Sequence, residues 1–141
     1  MKMTSSIKLT AVVLTATLGL AAAAAAQDAA GTLPPASTKQ GVTYATDIKS
    51  ILDASCVKCH SGDKPKAHLK LDSLEGALKG SKDGPILKAG DSANSFVVKA
   101  IAHLTADNHS WMPPLKNKAG IQPLTPEQIG LIRAWIDQGA K

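Results

Sequence analysis

The chain has two cysteines, Cys56 and Cys59, and a histidine follows the second directly: Cys56-Val57-Lys58-Cys59-His60. This C-x-x-C-H order is the c-type haem attachment signal. Two thiols about one helical turn apart can reach two vinyl groups along one porphyrin edge and form thioethers. The adjacent imidazole then swings under the iron as proximal ligand. Three other chemistries compete for these residues. A thioredoxin-type redox pair wants a βαβ setting, and no alternating strand pattern is present. A structural disulfide leaves His60 without a role. Zinc needs four soft ligands at finger spacing, and His68, His103 and His109 are dispersed. One covalent haem c, anchored through Cys56 and Cys59 with His60 on the iron, uses the whole motif.

The other face of the iron decides function. Beyond the N-terminal leader one methionine remains, in Trp111-Met112-Pro113-Pro114. A thioether is a soft ligand for iron, and His/Met ligation is an electron-transfer arrangement that raises the reduction potential. The two prolines restrict the local backbone around the sulfur. Met112 as ordinary core filler is the plain alternative. Bis-histidine ligation through His109 is the rival, followed by His68, His103 or an open position. Trp111 is read as packing on the haem edge, its default as an aromatic being simply core.

The leader sets the compartment. Met1–Lys8 carries Lys2 and Lys8 without an acid, Leu9–Leu20 is largely apolar, and Ala24-Ala25-Ala26 precedes Gln27. A basic start, a short apolar stretch and small residues at the boundary make a secretory signal peptide over 1–26, cleaved after Ala26. The expected location is periplasmic or otherwise exported, with no stable membrane span after cleavage. Losing Lys2 and Lys8 leaves 14 Lys+Arg against 11 Asp+Glu, a net charge of +3 rather than +5. Thirteen of those cations are lysines, spread from Lys39 to Lys141 without a block. A nucleic-acid surface would show a basic stripe with Arg and aromatics, so nucleic acid is excluded. The lysines read as solvated surface or, alternatively, as a ring that docks an acidic redox partner.

The elements that position the motif are helical. Residues 27–41 are rich in Ala, Pro, Ser, Thr and Gly, a flexible linker, and one domain runs over 42–141. Ile48, Ile51 and Leu52 form a helical stripe capped by Thr46 or Asp47 and leading into Cys56. Leu71, Leu74 and Leu78 predict a second helix, with Asp72 or Ser73 as cap and Gly80 as stop. A third spans Ser95–Leu104 with Val97, Ile101 and Leu104 inward. Thr125-Pro126-Glu127-Gln128 is a capping box that opens a final helix carrying Ile129, Ile132 and Ile136, with Gly139 as its stop. The fold class is all-α. From Gln27 on there are 28 large apolar residues in 115, four of them aromatic, a thin core that a haem would complete.

The co-linear pattern resembles the planctomycete-type cytochrome c domain. It comprises Tyr44-x-x-Asp47-Ile48-x-x-Ile51-Leu52, the haem motif, and Lys64-x-Lys66-x-x-Leu69-x-Leu71-Asp72-Ser73. Further on come Gly90-x-x-x-x-Ser95, Met112-Pro113-Pro114 and Leu124-Thr125-x-x-Gln128-Ile129-x-x-Ile132-x-x-Trp135-Ile136-x-x-Gly139-Ala140. Ser50, Ser61-Gly62, Ala67-His68 and Ala89 depart from the usual pattern, and none is a ligand position. The resemblance implies a class I-like cytochrome c fold, with Cys56 and Cys59 as thioether anchors and His60 and Met112 as axial ligands. The expected function is one-electron transfer between a redox protein donor and acceptor, without catalysis. The alternative is a haem enzyme or a peroxide or gas sensor, with an open or displaceable sixth position.

Overall fold

The computed structural model describes residues 31–141. The leader 1–26, its cleavage point and linker residues 27–30 lie outside the described residues. Among the described residues four α-helices, α1 (Lys49–Ser55), α2 (Leu74–Lys79), α3 (Phe96–Ile101) and α4 (Pro126–Asp137), are joined by long turns. The described residues hold no β-strand, only one isolated bridge between Ser81 and Gly84. The domain is all-α. No helix among them is long and apolar enough to cross a membrane.

Helix starts follow local chemistry. α1 is preceded by a π-helical turn, Tyr44–Ile48, so helical backbone begins earlier than the stripe from Ile48 suggests. Its cap is Thr43, whose hydroxyl accepts from the Thr46 amide; Thr46 and Asp47 lie inside the turn. The expected cap at Ser73 is present on α2, and the helix stops at Gly80 with φ +84°. A Cβ there would meet the Gly84 carbonyl oxygen at 2.5 Å, so glycine allows both the turn and the close approach. α2 buries Ala77 and leaves Leu78 exposed, because a six-residue helix turns only one narrow stripe inward. α3 is shorter than Ser95–Leu104 and buries Val98, Ala100 and Ile101, while Val97 and Leu104 are half-buried. α4 carries the full capping box, with Thr125 and Gln128 exchanging side-chain-to-backbone bonds.

The core lies where the first helical segment and α3 meet α4: Ile48, Val98, Ile132 and Ile136 are each at most 2% exposed. Burying an aliphatic side chain of this size contributes roughly 1.5–3 kcal/mol. Both ends of the domain close on one aromatic pair. Tyr44 and Trp135 have ring centroids 6.1 Å apart. The Tyr44 amide and the Trp135 indole N–H donate to the Lys141 carbonyl at 2.8 and 2.9 Å.

Residues 33–41, whose composition suggests a flexible linker, run along α4. The Ser37 amide donates to the Gly130 carbonyl at 2.9 Å, and the Gln138 side-chain amide donates to the Lys39 carbonyl at 2.8 Å. Arg133 donates to the Pro34 carbonyl. The composition has no apolar period because much of this strap is held through its backbone amides and carbonyls, with Leu33 on the core and Lys39 paired to Asp47 as isolated side-chain anchors.

Candidate functional site

The Cys56–His60 motif is a tight turn at the end of α1. The Cys56 and Val57 amides donate back to the Leu52 carbonyl, and the Cys59 and His60 amides donate to the Cys56 carbonyl at 3.1 and 3.0 Å. The following loop then folds back on the motif. The Lys66 amide donates to the Cys59 carbonyl at 3.0 Å, and the Leu71 amide to the His60 carbonyl at 2.8 Å. This return brings the Lys66 carbonyl to 3.1 Å from His60 Nδ1. A carbonyl only accepts, so Nδ1 carries the proton and Nε2 keeps its lone pair. Burial holds the His60 pKa below the ordinary histidine value, against the weaker opposing pull of backbone hydrogen bonds. The ring is therefore neutral and of the tautomer that ligates through Nε2.

Cys56, Cys59 and His60 open onto a cavity of about 450 Å³, within the roughly 300–1,000 Å³ typical of ligand sites. Ile48 and Leu52 line one part of it, Leu69 and Leu71 of the return loop another. Ile86, Val97 and Ile101 from the α3 region, and Leu124, Ile132 and Trp135 from the α4 region, supply the rest. The wall is predominantly apolar. Both cysteines are free thiols. Burial, and then Cys59 beside it, push the Cys56 thiol up to about 11. A redox or nucleophilic cysteine needs the opposite shift. No group of three or more His, Cys, Asp or Glu side chains able to hold a metal ion occurs among the described residues.

Met112 lines the same cavity, half-buried, with its amide donating to the Ala100 carbonyl at 3.0 Å. His109 also lines it, with an exposed side chain. His68 does not; it is exposed beside Asp63, Lys64 and Pro65. His103 and Trp111 are not among the lining residues. Instead the two rings stack, with centroids 5.0 Å apart and planes 3° from parallel. The Trp111 ring, read from the sequence as packing on the haem edge, stacks on His103, and Trp135 is an indole that lines the cavity. The buried Trp111 Nε1 has no hydrogen-bond partner among the described residues. The return-loop carbonyl of Lys66 and the ring of His103 were not legible as site features.

These residues fit a haem c. Two free thiols, a neutral imidazole with Nε2 free and a thioether share one apolar cavity, a donor set suited to iron and to a flat macrocycle. Residues 56–116 match the family described as Planctomycete cytochrome C. The match includes Cys56, Cys59, His60 and Met112 and supports a planctomycete-type cytochrome c domain there. The family points to a haem-binding electron carrier, and to electron transfer rather than catalysis. No curated protein and no solved structure matches the chain.

Proposed function

We propose that this chain is an exported c-type cytochrome of the class I-like fold, carrying one covalent haem with His60 and Met112 as axial ligands. It passes single electrons between redox protein partners. The observation that carries this reading is one mainly apolar cavity on which Cys56, Cys59, His60 and Met112 all open. When bound, the haem supplies the ferric/ferrous couple, taking one electron from a donor and giving one to an acceptor. Cys56 and Cys59 would tether it by thioethers. His60 presents Nε2, its ring held by the Nδ1 bond to the Lys66 carbonyl. Leu52, Leu71, Val97 and Ile132 exclude water, which disfavours the extra charge of ferric iron and raises the potential. The signal-like leader supports export, where haem is attached to this motif. The lysines favour an acidic partner surface.

His109 on the same cavity makes bis-histidine ligation the rival reading. A pyridine haemochrome spectrum of the two-thioether type, with an intact mass of one haem added to the chain from Gln27, is expected. A colourless product from a host competent in c-type maturation would sink the proposal. The ferric protein should also show the weak far-red band of a thioether on iron. That band should be lost in Met112→Ala and kept in His109→Ala. Ready carbon monoxide binding by the wild-type ferrous form would instead favour the open-site enzyme or sensor.

A further inference from the structure

Both neighbours of Met112 in the chain are held by one distant side chain. His103, just beyond α3, stacks its ring on Trp111 with centroids 5.0 Å apart. Its Nε2 lies 3.2 Å from the Pro113 carbonyl, and because a carbonyl only accepts, Nε2–H is the donor. Between these two contacts, the Met112 amide donates to the Ala100 carbonyl at 3.0 Å. Residues 111, 112 and 113 are thus each tied to the stretch 100–103. His103 adopts φ +55°, a left-handed backbone that residues with a Cβ seldom enter. Such a conformation persists where its surroundings over-determine it, and it marks positions worth a functional question.

We propose that His103 is the positioning residue for the axial thioether. It clamps Trp111 and Pro113 and so presents Met112 to the cavity. The inference rests on Met112 being an iron ligand. A methionine side chain has three rotatable bonds, and its thioether is a soft ligand that gains from being placed in advance. Holding the backbone on both sides removes part of the ordering cost that ligation would otherwise carry. His103 acts on the residues that flank the ligand, and it is absent from the cavity wall itself.

Three variants with haem attached test this. His103→Gly removes ring and donor while suiting the left-handed backbone. His103→Phe keeps a flat ring without the donor, and His103→Gln keeps a donor without the ring. The readouts are the ferric far-red band, carbon monoxide uptake by the ferrous form, and thermal unfolding. In His103→Gly the Met-ligated population should fall on the order of tenfold, with carbon monoxide uptake appearing and thermal unfolding close to wild type. The Phe and Gln variants should fall between. A folded His103→Gly variant with the wild-type band and no carbon monoxide uptake overturns the proposal. If that variant does not accumulate, wild-type behaviour in both the Phe and Gln variants overturns it equally. A wild-type protein without the far-red band overturns Met112 ligation and the clamp together. A wild-type band untouched by all three variants overturns the clamp alone.

Discussion

The stripe of α4 that carries Gly130, Arg133 and Asp137 makes directed hydrogen bonds to other parts of the chain. The Asp137 carboxylate accepts from the Ser92 amide and hydroxyl at 2.8 and 2.9 Å, and Arg133 Nε–H donates to the same hydroxyl at 3.1 Å. Gly130 lets the strap approach so closely that a Cβ would lie 2.6 Å from the Pro35 carbonyl oxygen. The stripe of the same helix that carries Ile132 and Trp135 faces the cavity with apolar surface. One face is completed by the polypeptide, and its polar groups find partners within the chain. The other borders a mainly apolar cavity shaped for an apolar guest, onto which Cys56, Cys59, His60 and Met112 open. The contrast separates what the chain does for its own fold from what it does for a cofactor.

The largest effect should come from denying the cavity its occupant. At about 24 cal/mol per Å³, an unfilled void of this size would cost on the order of 10 kcal/mol as a ceiling, comparable to the whole stability of an ordinary domain. The Cys56→Ala/Cys59→Ala double variant should therefore lose helical circular dichroism and cooperative unfolding, on both faces of α4. A haem-free variant that melts like the wild type would erase the distinction between the faces.

Next comes the helix itself. Thr125→Ala removes the capping box and should cost about 1 kcal/mol, measured by denaturant unfolding. Both faces should weaken together, because α4 carries both. Gly130→Ala should separate them. Alanine favours the helix by about 0.8–1.0 kcal/mol over glycine, while the new Cβ displaces the strap and its Ser37 bond, worth about 0.5–1.5 kcal/mol. The terms nearly cancel, so the melting temperature should hardly move while the Ser37 amide exchanges faster and the far-red band is unchanged. Unaltered protection at Ser37 would mean that the strap does not depend on this close approach.

The smallest effect belongs to Asp47, held down to about 2 by the Lys39 ammonium first, then by the Thr46 hydroxyl and the Thr43 amide. Its folded value lies below the ordinary 3.8. The contribution is therefore complete above about pH 4 and disappears as pH falls toward 2. Asp47→Asn should flatten acid unfolding in that window alone. An identical acid limb in the variant would show that this pair does not secure the strap.

Much of the domain was legible because its signals are local. The capping box at Thr125 and Gln128 lies within four residues and is present as read. The cap at Thr43 was misplaced because a π-helical turn moves the helix start ahead of the apolar stripe. Leu78 has the right spacing for burial, but α2 is too short to carry it inward. Trp111 adjoins Met112 in sequence, and its stack on His103, eight positions earlier in the chain, is a contact that no local pattern announces.

The C-x-x-C-H signal, the all-α class and the lone Met112 were determined by the sequence alone, because each depends on residue types a few positions apart or on their scarcity. The tertiary structure alone decided the rest: the His60 tautomer through the Lys66 carbonyl, the clamp of His103 around Met112, and the strap on Gly130. Most of those contacts have a backbone group on one side, which every residue carries, so residue types alone do not pair the partners and only the path of the chain brings them together.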